Sequence, residues 1–224
     1  MIDYLGETLT YAATIAISPI PIIAVILMLR SAHPKPMGLG FLAGWFAGIV
    51  VATGLLTLLA TNMPERDDSS GPQPSTGTIR LILGALLLFL AIKQWRTRPR
   101  PGETPELPTW LQSIEAIKPR ASVGFGFMLA ALNPKNLVMA GAASVVFGHA
   151  TLEPTQVVGT VAIFTVLAGL SVLIPVVLYL LAPVKVSGML GRAMEWLTFN
   201  SSTIVMVVLL VLGIQLIGQG IESF

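Results

Sequence analysis

Residues Leu5–Leu29 read LGETLTYAATIAISPIPIIAVILML. As a helix, an apolar run of this kind is long enough to cross a bilayer, which takes about 20 residues. The middle of the run carries Ser18, Pro19 and Pro21. A proline inside a helix removes a backbone donor and clashes with the preceding turn. The stretch therefore predicts a membrane helix that is broken near its midpoint. A second stretch, ALNPKNLVMAGAAS (Ala131–Ser144), has the same grammar: Asn133 and Pro134 interrupt another long apolar run. Asn133 lies 115 positions beyond Ser18.

Together with these two, the remaining apolar stretches predict six spans. They are Leu5–Leu29, Leu39–Thr61, Ile79–Gln94, Ser122–Gly148, Thr155–Ala182 and Phe199–Gly218. The third is short, so it either starts earlier or thins the bilayer locally. The whole chain agrees with this: 54% of its 224 residues are apolar and 11% are charged, with a mean hydropathy of +0.82. An ordinary soluble domain has about 25% charged residues. Disorder, nucleic-acid binding and a typical soluble enzyme are excluded on this composition. The absence of cysteine excludes disulfides, thiolate metal sites and thiol redox chemistry. The first span does not read as a cleaved signal peptide, because Asp3 and Glu7 lead it and no small-residue cleavage site follows.

The charges orient the spans. All 13 Lys and Arg residues, apart from Arg66, Arg80 and Lys135, fall in the connections after the first, third and fifth spans or, for Lys93, at the last turn leading into one. The positive-inside rule makes that side cytoplasmic and puts both termini outside, in an inner-membrane protein. The outer connection Asn62–Thr78 is acidic and rich in Pro, Ser and Gly, the composition of a solvated linker. In the inner connection, Trp110, Leu111, Ile114 and Ile117 have helical spacing. A short amphipathic helix on the inner leaflet, beside a basic cluster attracted to acidic lipid, is one reading. A topology signal with a plain linker is the other.

Adding the 115-residue offset to the second span overlays the fifth, and adding it to the third overlaps the sixth. The fold expected is thus all-α and integral to the membrane: six transmembrane helices as two inverted three-helix repeats, with the first and fourth helices broken. Residues 1–95 form the first repeat, 96–120 a cytoplasmic linker with the short helix, and 121–224 the second repeat. Inverted repeats with discontinuous helices recur in secondary transporters.

Each break has the features of a helix start, with a favoured N-cap residue followed by proline: Ser18-Pro19 and Asn133-Pro134. Pro19, Pro21 and Pro134 also free carbonyls one turn earlier, near Ile15, Ile17 and Ala130. Helix starts attract anions. Lys135 follows Pro134, no Asp or Glu lies deep in any span, and an intramembrane lysine costs roughly 2.5 kcal/mol or more. The missing partner of Lys135 is then an acidic ligand, with Asn136 as a further amide donor. Two alternatives stand beside this. The prolines serve packing alone, or Lys135 snorkels or pairs with a backbone carbonyl. Gly40, Gly44 and Gly48 recur every four residues and suit close helix packing more than pore lining; such a face also allows a homodimer. No catalytic constellation, metal site or cofactor motif is visible, so no enzyme activity is expected.

The runs AISPIPIIAVILML (Ala16–Leu29), ALNPKNLVMAGAAS (Ala131–Ser144) and PTWLQSIEAIKPRASVGFGF (Pro108–Phe127) resemble the GAP/Sap family of actinobacterial membrane proteins, the glycopeptidolipid- and sulfolipid-addressing proteins. The resemblance covers nearly the whole chain. That family is grouped with the lysine-exporter superfamily, which carries a similar Asn-Pro-Lys element. The resemblance implies an inner-membrane protein that helps move lipids or other amphiphiles towards the cell envelope, beside large lipid exporters. Three functions follow as expectations. The first is a transporter of an acidic amphiphile, by alternating access around Ser18, Pro19, Pro21, Asn133, Pro134, Lys135 and Asn136. The second is an exporter of a small solute of the amino-acid type. The third is a non-transporting accessory subunit of an envelope-lipid exporter.

Overall fold

The computed structural model describes residues 2–62, 74–98, 111, 114, 117–148 and 153–222. Among them the chain is helical: α1 (Ile2–Ala16), α2 (Pro19–Arg30), α3 (Pro34–Ala60), α4 (Pro74–Arg96), α5 (Pro119–Ala131), α6 (Pro134–Gly148), α7 (Pro154–Leu181) and α8 (Pro183–Ile221). Each of the helices α2 to α8 begins at a proline. The missing proline N–H is one that a first-turn residue leaves unbonded anyway, and the fixed φ suits the helix.

The helices α3, α7 and α8 are each long and apolar enough to cross a membrane, and α1 with α2 forms a fourth candidate bent by 46°. The stretch expected as the first span is therefore two helices, and the stretch expected as the fourth is likewise divided, into α5 and α6, of 13 and 15 residues. Over the stretch expected as the third span, the helix is longer than the sequence suggests: α4 has 23 residues, its first turn taken from the end of the connection Asn62–Thr78. The connection expected after the fifth span is not a loop. Only Ala182 separates α7 from α8, a single helix of 39 residues that contains Lys185 and Arg192. Pro183, placed at N1, starts it at once. Most of the expected amphipathic helix lies outside the described residues. Its Leu111 and Ile114 are fully buried in the protein.

The chain divides into two compact units, Met1–Pro64 with Leu107–Glu195, and Glu65–Glu106 with Trp196–Phe224. In the first, α1 packs on α6 and α7, α2 on α3 and α7, and α3 along α5, α6 and α7. Glycine makes the α3 contact possible. A Cβ on Gly44 would overlap the carbonyl of Val123, and one on Gly126 the carbonyl of Phe41. The glycine face of α3 is thus filled by α5 of the same chain. The register is parallel, with Gly40 opposite Ser122 and Ala60 opposite Gly148. Phe41 and Trp45 stack at 6.1 Å, and Phe147 meets Phe164 edge-on at 5.7 Å; all four are fully buried. Outside this core, Leu55, Leu58, Leu59, Val138 and Val158 are exposed, an apolar exterior that suits lipid.

In the second unit, α4 and the later part of α8 cross antiparallel. A Cβ on Gly84 would lie 2.9 Å from the Gly213 carbonyl oxygen, and one on Gly220 would lie 3.2 Å from that of Gly77. Small residues at such a crossing let backbones approach closely where no water drives the helices together.

Candidate functional site

Both breaks lie in the first unit. At the first, the Ile17 amide still donates to the Ala13 carbonyl, but the Ser18 amide turns back to Ala16 at 2.8 Å. Ser18 is extended, at φ −130° and ψ 111°, and α2 starts at Pro19. Three carbonyls consequently lose their regular partners. Thr14 loses the turned Ser18 amide, while Ile15 and Ile17 face Pro19 and Pro21, which have no N–H. Ser18, Pro19 and Pro21 are buried. Ser18 makes no side-chain capping bond; one of the two amides that an N-cap oxygen can reach would belong to Pro21, which has none.

At the second break the expected cap does form. The Lys135 amide donates to Asn133 Oδ1 at 3.0 Å, and the Leu137 amide donates to the Asn133 carbonyl at 2.9 Å. This is the N-cap geometry, with Pro134 at N1. The two breaks share the capping-residue-then-proline sequence but differ in capping chemistry.

Lys135 joins the two breaks. Its ammonium donates to the Thr14 carbonyl oxygen at 2.6 Å and to that of Ile17 at 3.5 Å. The cation thus sits at the C-terminal end of α1, where the helix dipole is negative and the last carbonyls are free. Of the two alternatives for Lys135, pairing with backbone carbonyls is the arrangement found. The Ile17 carbonyl was foreseen as freed; that of Thr14 was not, because the backward turn of the Ser18 amide has no sequence signal. An ammonium has three donors, and Lys135 is half-buried, so one N–H remains for a further acceptor.

Asn136 repairs the other helix end. It is buried, and its Nδ2 donates to the Ala130 carbonyl at 3.2 Å and to that of Leu129 at 3.4 Å. The Ala130 carbonyl is the one freed by Pro134. The Asn136 Oδ1 is buried and has no hydrogen-bond partner. A hollow of about 390 Å³ lies beside this break, lined by Phe125, Met128, Leu129, Leu132, Asn133 and Pro134. Its wall is apolar apart from Asn133. Sequence reading missed this hollow, since Phe125, Met128 and Leu132 look like ordinary lipid-facing residues.

The arrangement brings Lys135 to the carbonyls beside Ser18, and Asn133 and Asn136 to the end of α5. Chemically it is a compact polar seam of one ammonium, two carboxamides and freed carbonyls between otherwise apolar helices. It can hold an acidic group through Lys135, or it can simply staple two broken helices together.

No curated protein and no solved structure matches the chain. A family model does match, over residues 8–222, and its description is Sap, sulfolipid-1-addressing protein. Residues from both breaks, the α5 hollow and the α4–α8 crossing all fall inside that match, and the chain belongs to the Sap family of sulfolipid-1-addressing proteins.

Proposed function

We propose that the protein is an inner-membrane transporter that moves an acidic amphiphile towards the cell envelope, with Lys135 at the centre of its binding site. The family carries the lipid part of this reading, since its name concerns the addressing of a sulfolipid. Lys135 carries the acidic part: it is the cation placed between two helix breaks, and one of its donors is open. An acidic head group at this point competes with the carbonyls of Thr14 and Ile17 for the ammonium. Loss of that pairing loosens α1 from α6 and lets the two breaks move apart. The apolar hollow beside Asn133 gives an acyl chain a place at the second break.

The proposal includes six crossings, with both termini outside the cytoplasm. The repeats are inverted, and the site is exposed to either side by rocking of one half against the other. The lysine-exporter grouping belongs to the same reading.

Binding by the purified protein tests it. With a soluble acidic lipid analogue as probe, Lys135→Gln is expected to weaken binding about tenfold to a hundredfold, the value of a charge-assisted hydrogen bond. Lys135→Arg keeps the charge and is expected to retain most of the affinity. Equal affinity of wild type and Lys135→Gln, at low and high salt, contradicts the proposal.

One observation favours a second reading. Lys135 is already paired within the chain, as it would be in a non-transporting accessory subunit. That reading expects no lipid movement by the isolated protein in liposomes. It also expects Lys135→Gln to lower stability without affecting the work of the partnered complex.

A further inference from the structure

A separate apolar groove lies in the second unit, between α4 and α8. It has a volume of about 280 Å³ and is lined by Ala91, Ile92, Trp95, Met206 and Leu210. It runs from Trp95 and Met206 at the C-terminal end of α4 towards Ala91 and Leu210. The end at Trp95 is basic. Arg98 stacks its guanidinium over the Trp95 ring, 3.5 Å from the centroid. Arg96 follows Ile92 by four residues, so it lies on the same face of α4. Both arginines are exposed, as is Trp95.

We propose that this groove binds an acidic phospholipid from the leaflet at the C-terminal end of α4, with one acyl chain along Ile92 and Leu210 and the phosphate on Arg96 and Arg98. Three features fit this occupant together. The groove is greasy along its length and basic at one end only, which is the polarity of an acidic lipid. Trp95 stands where a tryptophan belongs at a membrane–water boundary. Stacking uses the flat face of the Arg98 guanidinium and leaves its edge free, and that edge carries the paired donors that suit a phosphate. A chain of α8 would not fill the groove more fully, since the glycines that draw the helices together sit further along, at Gly84, Gly213 and Gly220. The site is independent of Lys135 and takes a resident membrane lipid.

The test uses the whole protein in nanodiscs containing phosphatidylglycerol and phosphatidylcholine with identical diazirine-bearing chains, one of the two carrying the label in each sample. Cross-linked peptides are mapped by mass spectrometry. Wild type is expected to label within 91–95 and 206–210, with phosphatidylglycerol preferred about fivefold or more, as a basic side chain near a membrane surface gives about that factor. Arg96→Gln with Arg98→Gln is expected to bring the preference close to one while chain labelling persists. Leu210→Trp fills the groove and is expected to reduce labelling by both lipids. Equal labelling by the two lipids in wild type overturns the proposal, as does a preference that survives removal of both arginines. Labelling that Leu210→Trp leaves intact overturns the placement of the chain. Retained helicity and melting temperature show that the variants are folded.

Discussion

At Lys135, one side chain satisfies carbonyls at the end of α1, as Asn136 does at the end of α5. The ammonium reaches from the first turn of α6 to the last turn of α1, 2.6 Å from the Thr14 oxygen. In water this hydrogen bond would be modest. In an apolar setting, leaving either group without a partner costs about 1–3 kcal/mol or more. Lys135→Leu is therefore expected to lower the stability of the purified protein by about that amount, measured by thermal unfolding in detergent. Asn136→Leu is expected to cost a similar amount, because it leaves the Ala130 carbonyl bare. Asn133→Ala removes the cap on the Lys135 amide, an effect of about 1 kcal/mol. A melting temperature unchanged in all three would mean that the polar seam contributes nothing to the fold.

Among the elements, the paired helices α3 and α5 show how close the backbones come. Gly44 faces the Val123 carbonyl with no room for a methyl group, while Gly54 on the same helix faces open space. Gly44→Ala is expected to destabilise by about 1–3 kcal/mol, the usual cost of overpacking. Gly54→Ala is expected to be neutral or slightly stabilising, since alanine favours helix over glycine. Equal effects of the two would show that α3 does not lie against α5 in this register. The role of the Gly40–Gly44–Gly48 face was legible in the sequence, because a four-residue glycine period presents one smooth strip. The two breaks were legible too, since Ser18-Pro19 and Asn133-Pro134 each set a capping residue before a proline, whereas Pro175, without that pairing, lies inside α7 and does not end it. What could not be read was where Lys135 would find its partner. Thr14 carries no mark of a free carbonyl; the loss comes from the turn of the Ser18 amide, which only three-dimensional packing fixes. The junction between α7 and α8 was misread for a related reason. Lys185 and Arg192 look like loop residues, yet Pro183 restarts the helix after a single residue.

For the whole molecule, the topology is the claim most exposed to test. The chain has no cysteine, so single cysteines report without background. Asn62, Thr97 and Ser187 are exposed in the structure. Asn62→Cys is expected to react with an impermeant maleimide added to intact cells. Thr97→Cys and Ser187→Cys are expected to react only after the membrane is opened. Labelling of position 97 from outside would reverse the orientation, and labelling of 62 and 97 from the same side would remove the crossing between them.

Transport as proposed depends most on an acidic head group displacing a bond that the protein makes to itself. A high-resolution map of the protein extracted with its native lipids tests this directly. The predicted result is head-group density within hydrogen-bond distance of the Lys135 ammonium, with the bond to Thr14 lengthened or broken. An ammonium still seated on Thr14 and Ile17, in a sample that demonstrably retains its lipids, with no other density beside it, would contradict the account.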